Sequence, residues 1–435
     1  MNDLPNGWVS GTLGEVGTWG SGGTPRKGHP EFYDGAIPWA VIGDLNDSLV
    51  SSTQTSITPL GLKESSAKPI KAGSLLVAMY GSIGKLGIAG MDMATNQAIA
   101  FFKPNDMINS KYLFWYLLSQ RQHLGTAGKG ATQQNISQTI LKSWPVPIPP
   151  APEQQRIVDA IEEHFSRIDA AEGSMRRASA QIERFRRKSF SQLFDQPGWN
   201  WTTLGEIADI KGGVTKDAKK QSHPGFVEVP YLRVANVQRG HLDLNEVTKI
   251  RVPPATLEAL RLAPGDILLN EGGDRDKLGR GWVWEGQVEN CIHQNHVFRA
   301  RLRDPAMNPR FFSTHANTWG RSWFETNGKQ TTNLASISLS TLKTLPVPVP
   351  SFEEQTLVMA ELERRASVAD ALLQSLESGS RGAGSLRRSI FNMAFSGRLV
   401  PQLPNAEPAN VLLECNRPEQ THSPTHRRNQ NGLLS

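Results

Sequence analysis

Apolar residues recur with alternating four- and three-residue spacing in two long stretches of the chain, residues 157–189 and 358–390. This spacing keeps one helix face apolar, and it persists long enough to predict coiled-coil helices. Positions in the second stretch lie 201 residues after those in the first. We therefore expect the helices to pair with each other, antiparallel; the alternative is that each packs separately on its own domain. The apolar seam positions are Ile157, Ile161, Ile168, Met175, Ile182 and Phe185, then Val358, Leu362, Leu372, Leu376, Leu386 and Ile390.

A proline-rich run precedes each helix, at residues 145–150 and 346–350. Because proline fixes φ near −65° and lacks a backbone donor, both runs are predicted to be extended. Glutamate and glutamine follow at residues 153–155 and 353–355. Acidic side chains suit the positive end of a helix dipole, so the helices are predicted to begin close to these residues.

Further motifs recur in the same order, which indicates one domain present twice. Gly-Trp followed by Thr-Leu-Gly-Glu occurs at residues 7–15 and again at 198–206. Short apolar runs between glycine, proline and asparagine clusters predict strands, and helical pieces are predicted at 110–122 and 309–323. The predicted fold class is therefore α+β, with two similar domains separated by the two antiparallel helices and related by a pseudo-two-fold axis.

The predicted organisation has five parts. They are a first domain at residues 1–150, a central helical spacer at 151–195, a second domain at 196–350, a distal helical spacer at 351–400 and a disordered tail at 401–435.

Composition adds modest constraints. The net charge of +6 is compatible with nucleic-acid binding but does not establish it. Two cysteines, Cys291 and Cys415, are too few for a disulfide framework and suit a reducing cytosol. The N-terminus lacks a signal-peptide pattern, and the apolar stretch 74–91 contains Lys85 and several glycines, so it is a poor membrane span. We expect a soluble cytoplasmic protein without membrane contact.

Catalytic and metal-binding patterns are weak. The chain lacks a phosphate-binding Gly-x-x-x-x-Gly-Lys-Ser/Thr loop and the Asn-Pro-Pro-aromatic tetrapeptide of amino-methylating enzymes. Asp266 and Glu271 could form a nuclease carboxylate pair, but the first repeat has no acidic counterparts. Cys291, His293 and His296 have zinc-ligand chemistry without an evident fourth ligand. We therefore expect a non-catalytic chain that binds no metal or cofactor itself.

Glycine-rich loops with basic and polar residues occur at similar places in both repeats, and they predict contacts to DNA. Glycine permits close approach of backbone to a phosphate, while Lys, Arg, Thr and Gln donate to phosphates and base edges. The alternative is that these are ordinary solvated turns. The candidate DNA-binding residues are Thr24, Lys27, Tyr80, Ser82, Lys85, Asn96, Gln97, Lys129 and Gln133 in the first repeat and Lys216, Arg275, Lys277, Gln294, Asn295, Lys329 and Thr331 in the second.

These repeated motifs, over roughly residues 7–400, resemble the specificity (S, HsdS) subunit of type I restriction–modification systems. They are Trp-x-x-x-x-Leu-Gly-Glu near each domain start, a Gly-Asp-Ile-Leu-like segment, Leu-Pro-Val-Pro-Val-Pro and a helix start rich in Glu and Gln. Ser74 departs from the family pattern, where aspartate is common.

The resemblance implies two target recognition domains that read the halves of a split duplex sequence, and a helix pair that docks two methyltransferase (M) subunits. Restriction/motor (R) subunits would complete the endonuclease. S-adenosylmethionine, ATP and magnesium would belong to those partners.

Two other functions remain open from the sequence. A self-contained DNA methyltransferase or nuclease would need a cofactor or metal constellation. A structural adaptor would keep the helices but would not read bases.

Overall fold

The computed structural model describes residues 4–127, 135–218, 221–274, 277–330, 335–403 and 406–409. The chain divides into two compact units. Unit 1 comprises Met1–Gly173 and Ser380–Ser435, and unit 2 comprises Ser174–Gly379. Each unit therefore contains one globular domain together with half of each long helix.

In its described residues the first domain contains ten strands, two 3-10 turns and four short helices, and the first long helix follows it. The strands are β1 Val9–Thr12, β2 Gly17–Ser21, β3 Tyr33–Ala40, β4 Ser48–Val50, β5 Ser56–Ile57, β6 Leu75–Ala78, β7 Leu86–Ala89, β8 Ala94–Thr95, β9 Ile99–Pro104 and β10 Pro145–Ile148. The 3-10 turns are Pro30–Phe32 and Ile42–Asp44, and the helices are α1 Pro59–Lys63, α2 Ser110–Ser119, α3 Arg121–Ala127, α4 Gln138–Lys142 and α5 Ala151–Leu193.

The core of this domain lies around a five-stranded sheet in the order β2-β9-β6-β7-β4. Every residue of β6 is buried, as its continuous apolar sequence predicts. A smaller sheet has the order β5-β3-β8. The extended proline run forms β10, which pairs antiparallel with β1, a position at the edge of a sheet that proline tolerates.

The second domain repeats this arrangement with additional short strands. Its strands are β11 Trp201–Thr203, β12 Ala208–Gly212, β13 Val227–Leu232, β14 Val237–Gln238, β15 His241–Leu242, β16 Thr248–Val252, β17 Ile267–Asn270, β18 Gly272–Gly273, β19 Gly281–Val283, β20 Ile292–His293, β21 Val297–Leu302, β22 Lys329–Gln330, β23 Ala335–Ser336 and β24 Pro346–Pro348. Its helices are α6 Leu204–Ile207, α7 Pro254–Leu260, α8 Pro309–Asn317, α9 Trp319–Asn327 and α10 Leu339–Lys343, and the second long helix is α11 Phe352–Phe395.

The central sheet of the second domain has the order β12-β21-β17-β19, which matches β2-β9-β6-β7 strand for strand. The sheet β16-β13-β20 matches β5-β3-β8, including the parallel pairing of its last two strands. Proline strand β24 pairs with β11 as β10 pairs with β1. The predicted α+β class, with two similar domains and two long helices, is confirmed.

The glutamate and glutamine at each helix start attach the helix to its domain. In unit 1, Trp8 Nε1 donates to Glu153 Oε1 at 3.1 Å. Buried Gln154 accepts from the Asn109 N–H at 2.7 Å and donates to the Pro149 carbonyl at 3.0 Å. The sequence pattern predicted only a role in the helix dipole, whereas the structure gives these side chains a tertiary role.

Unit 2 contains the same contacts. Trp199 Nε1 donates to Glu354 Oε1 at 3.2 Å. Buried Gln355 accepts from the Asn308 N–H at 2.9 Å and donates to the Pro350 carbonyl at 2.9 Å.

The two helices run antiparallel within unit 1. Arg387, near the end of α11, pairs with Asp169 and with Glu172 of α5, the latter at 2.9 Å. The rings of Phe165 and Phe391 lie 5.0 Å apart. Beyond these contacts, the end of α11 packs against α2 through edge contacts of Phe395 with aromatic rings.

Unit 2 contains the equivalent cross-helix ion pair, between Arg186 of α5 and Asp370 of α11 at 2.9 Å. Arg365 also donates to the Ser189 carbonyl at 3.2 Å. A Cβ on Gly379 would lie only 2.9 Å from Met175 Sδ, so this glycine permits close helix contact. α11 is continuous through residues 379–384 despite its glycines.

The predicted seam is wrong at Phe185, Leu372 and Leu386, which are 71%, 50% and 52% exposed. In these heptads the residue that follows the predicted one points inward. After Phe185 and Leu386 this residue is an arginine, and Arg186 and Arg387 form the cross-helix ion pairs. The arginines can neutralise carboxylates on the facing helix, so the apolar side chains one position earlier face outward. The other predicted seam residues are buried or half-buried.

The predicted disordered tail begins too early. Ala409 is fully buried, and its N–H donates to the Gly7 carbonyl at 3.0 Å, so this part of the tail is ordered. Residues 404–405 and 410–435, to which the prediction also applied, lie outside the described residues. Within the part of the chain that the structure describes, no helix is long and apolar enough to cross a membrane.

Replacing Gln355 with methionine should lower the free energy of unfolding by about 1–3 kcal/mol, because the Asn308 N–H and the Pro350 carbonyl would lose their partner in a buried environment. Chemical denaturation of the full chain measures this change. Gln374→Met, at an exposed position of the same helix, is the matched control. Equal stability of the two variants would contradict the attachment role.

Unit 2 also contains a buried histidine. His315 on α8 is fully buried, and its ring stacks on Trp319 with centroids 5.1 Å apart. Neither ring nitrogen has a hydrogen-bond partner among the described residues. Burial lowers the pKa of His315 to about 3.

His315 should make unit 2 acid-sensitive. Below pH about 6.5 the unfolded histidine binds a proton that the folded one cannot. The free energy of unfolding therefore decreases as the pH is lowered, by up to about 1.4 kcal/mol per pH unit, until the pKa of the folded state is approached. His315→Phe should flatten the dependence of unfolding free energy on pH between 6.5 and 4.5. The exposed His241→Phe serves as control, and identical pH slopes in the two variants would refute this assignment.

Candidate nucleic-acid interface

Three loops of the first domain leave the same end of its central sheet. Ser21 of β2 is registered with Ala100, and Ala78 of β6 with Ile99. The loops that follow β2 and β6 and the loop that precedes β9 therefore begin side by side. The Met79 N–H donates to the Ala98 carbonyl at 2.8 Å, which joins two of these loops directly.

The second domain builds the same end from equivalent strands. Gly212 of β12 is registered with Phe298, and Asn270 of β17 with Val297. The Glu271 N–H donates to the His296 carbonyl at 2.9 Å, the counterpart of the bond between Met79 and Ala98. In both domains the topology thus gathers most of the sequence-predicted residues at one end of a sheet.

Glycines at the base of these loops are required by the protein itself. A Cβ on Gly22 would lie 2.1 Å from the Thr95 carbonyl oxygen, and one on Gly213 would lie 1.9 Å from that of His293. The sequence interpretation of these two glycines, close approach to a phosphate, is therefore replaced by close approach of two loops. Gly81 has a φ of +66°, and a Cβ added to it would meet no heavy atom within 4 Å, so this glycine faces open space.

Lys85 and Arg280 are structural equivalents, although Arg280 is not among the residues predicted from the sequence to bind DNA. The Lys85 carbonyl accepts from Ala78 at 2.9 Å, and the Arg280 carbonyl accepts from Asn270 at 2.9 Å. Sequence reasoning missed Arg280 because the second loop is longer.

The side chains of this pair also match. Lys85 Nζ donates to the Ile42 carbonyl and Arg280 Nη2 to the Val234 carbonyl, each at 3.3 Å. The sequence signal that would have identified Arg280 is the dipeptide Gly279-Arg280, which parallels Gly84-Lys85.

Several other predicted residues of the first domain are available at this end of the sheet. Lys27 and Ser82 are exposed, and Tyr80 is 41% exposed. Thr24 bonds to Gln97, which brings two predicted residues together. Asn96 is half-buried and accepts from the Ala98 N–H at 3.1 Å, so part of its side chain has a structural role.

In the second domain, Lys216 and Lys329 are exposed. Lys277 pairs with Asp274 three residues earlier, and this hydrogen bond lowers the pKa of Asp274. Gln294 accepts from the Val234 N–H at 3.4 Å and is half-buried, as is Asn295. The predicted residues Lys129, Gln133, Arg275 and Thr331 lie outside the described residues.

The acidic residues considered for catalysis have structural partners. Buried Asp266 accepts from Arg301 Nε at 2.7 Å and from Arg301 Nη2 at 2.8 Å. Glu271 contacts His296 Nδ1 at 2.6 Å. The two carboxylates therefore serve different ion pairs.

The residues with zinc-ligand chemistry are also separately engaged. His293 Nδ1 lies 2.6 Å from the Val297 carbonyl oxygen, and burial lowers the pKa of this histidine to about 4. Burial raises the pKa of the Cys291 thiol to about 12, so the thiolate that a metal prefers is disfavoured. Among the described residues, no three His, Cys, Asp or Glu side chains are grouped to hold a metal.

A second candidate surface lies on the helices of unit 2. A groove of about 590 Å³ runs between α5 and α11, and outward-facing apolar residues line it. Phe185, Val368 and Leu372 are 71%, 53% and 50% exposed. Contiguous exposed apolar side chains of this kind are typical of protein–protein contact sites.

Comparisons with known proteins point to one family. The family model for the type I restriction modification DNA specificity domain matches residues 5–177. The EcoKI specificity subunit of Escherichia coli strain K12 is 22% identical over 92% of this chain and 90% of its own length. The StySPI specificity subunit of Salmonella potsdam is 24% identical over the same shares.

Solved structures share the fold. A chain from a type I R-M system, solved to explain complex assembly and conformational transition, aligns with a TM-score of 0.68 at 19% identity and covers 92% of this chain and 100% of that one. The HsdS subunit from Thermoanaerobacter tengcongensis aligns with a TM-score of 0.56 at 19% identity, over 91% and 98%. The family resemblance indicated by the repeated motifs is confirmed.

Proposed function

We propose that this chain reads a bipartite duplex target for a restriction–modification complex. It resembles type I restriction–modification specificity subunits over nearly its whole length, and residues 5–177 match the model of their DNA specificity domain. The observation that carries the proposal is the duplicated sheet end, where equivalent loops of both domains gather basic and polar side chains. Each domain would read one half of the target.

The loops supply the two kinds of contact that specific binding needs. Lysine and arginine neutralise phosphates, which gives affinity and salt dependence. Amide and hydroxyl side chains such as Gln97, Asn295 and Thr24 can distinguish base edges. Because the two domains present different side chains at equivalent positions, their half-targets would differ in sequence.

The partners would be two methyltransferase subunits, with restriction subunits joining them. Support comes from the exposed apolar groove of unit 2, and from the relatives, which are specificity subunits of type I restriction enzymes. S-adenosylmethionine, ATP and magnesium would then bind the partners, and this chain would be a non-catalytic cytoplasmic subunit.

Selection of bound duplexes from a random pool, with the methyltransferase subunit present, tests the function. Enrichment of two short sequences at fixed separation is expected. A structural adaptor would enrich no sequence, and a self-contained enzyme would modify or cut DNA as the purified chain alone.

Lys85→Gln and Arg280→Gln should each weaken duplex binding and reduce the slope of log affinity against log salt by about one, since each would remove one phosphate contact. Lys277→Gln should have a smaller effect because Asp274 already neutralises this lysine. Titration of labelled duplex at several salt concentrations measures both quantities.

Lys71→Gln is the matched control for the Lys85 and Arg280 variants. Lys71 pairs with Asp92 and precedes β6, at the opposite end of the sheet from Tyr80. An unchanged salt slope in both the Lys85 and Arg280 variants would exclude the interface at this sheet end.

Phe185→Ser combined with Leu372→Ser should weaken association with the methyltransferase subunit by at least about tenfold, since burying one large apolar side chain contributes about 1.5–3 kcal/mol. The folding stability of the chain should change little, because both residues are exposed. Isothermal titration calorimetry compares this variant with Leu60→Ser, a 48% exposed leucine of the first domain. Wild-type affinity in the double variant would remove the groove from the docking surface.

A further inference from the structure

A cleft of about 460 Å³, with Phe391 and Phe395 beside its polar side chains, lies in unit 1 between α3 and the C-terminal end of α11. Its basic residues are Arg388, Arg398 and His123, and no carboxylate is present among the described residues that line it. Neither arginine makes an ion pair within the described part of the chain; Arg398 Nε donates to Ser396 Oγ at 2.9 Å. The cleft therefore concentrates uncompensated positive charge.

The cleft and the candidate interface of the first domain both border α3. Arg121, the first residue of α3, donates from Nε to the Gly84 carbonyl at 3.0 Å and pairs with Asp47. These contacts fix α3 beside the loop that contains Lys85. Gln122 and His123 follow directly and line the cleft.

The equivalent sequence positions of unit 2 carry a different set of charges. There, Arg187 corresponds to Arg388, but Pro197 replaces Arg398, and Asp195 replaces Ser396. Arg321, the counterpart of Gln122, pairs with Glu325 at 3.0 Å. The same helix–domain junction therefore forms with one of the two arginines replaced and with acidic residues present, so the fold alone does not require Arg398 or an acid-free lining.

We propose that this cleft binds backbone phosphates of duplex DNA beside the half-target read by the first domain, a role that rests on the proposed function. Guanidinium groups match phosphate oxygens in geometry, and neighbouring Gln and Asn side chains add neutral donors. Such contacts carry no base information, so they add affinity to specific and random duplexes alike. The complex would hold DNA more strongly on the unit 1 side.

The test uses the full chain co-expressed with its methyltransferase partner, and compares the double variant Arg388→Gln/Arg398→Gln with wild type. Loss of two phosphate contacts should make the salt slope shallower by about 1.8 and weaken binding of specific and random duplexes by up to about 60-fold at 0.1 M salt. The sequences selected from a random pool should not change. Lys71→Gln/Lys103→Gln removes the same charge at the opposite sheet end and should leave the slope near the wild-type value.

Results other than those expected distinguish the alternatives to phosphate binding. If the Arg388→Gln/Arg398→Gln variant has the same salt slope as the control pair, the proposal is overturned. It is also overturned if this variant loses methyltransferase association but keeps its DNA affinity, because the cleft would then be a protein-docking site. Arg388→Lys/Arg398→Lys should retain most of the slope, which separates lost charge from misfolding. If the wild type selects no sequence, the proposed function fails, while the random-duplex arm still decides whether the cleft binds phosphates.

Discussion

In each unit the acidic half of one long helix lies beside the basic half of the other. Residues 151–173 carry six acidic and two basic side chains, and residues 174–193 carry one and six. Residues 352–379 carry six and two, and residues 380–395 carry none and three. Antiparallel pairing therefore joins opposite charges, whereas parallel pairing would join acid to acid. Exposed ion pairs contribute little individually, but such patterns select helix orientation.

This orientation determines which segments of the two long helices pack on each domain. Unit 1 contains the first domain, the start of α5 and the end of α11, and unit 2 contains the reciprocal set. Phe395 packs on the aromatic residues of α2, and its counterpart Phe194 packs on α8 with Phe311 at 5.1 Å. Each domain thus buries apolar surface against a helix from the other repeat. The repeated Trp–Glu and Gln contacts hold the remaining helix start in place.

The motifs that carry the family resemblance are therefore largely architectural. Trp8, Glu153 and Gln154 join helix to domain and do not lie in the loops at the sheet end. The loops there differ between the two domains, with Tyr80 at one position and Gly272 at its equivalent. Under the proposed function, a constant framework presents two variable surfaces, so target sequence can change without disturbing assembly.

The sequence by itself determined the duplication, the long helices, the extended proline strands and most of the seam positions, because each depends on local periodicity or backbone restriction. Only the tertiary structure decided the seam at Phe185 and Leu386, because there the following arginine, such as Arg186, pairs with a carboxylate of the facing helix, such as Asp370. The equivalence of Lys85 and Arg280 likewise follows from hydrogen bonds across loops of unequal length. Contacts between residues distant in sequence leave no local periodic signal, which is why the gathering of these loops at one end of each sheet became visible only in the folded chain.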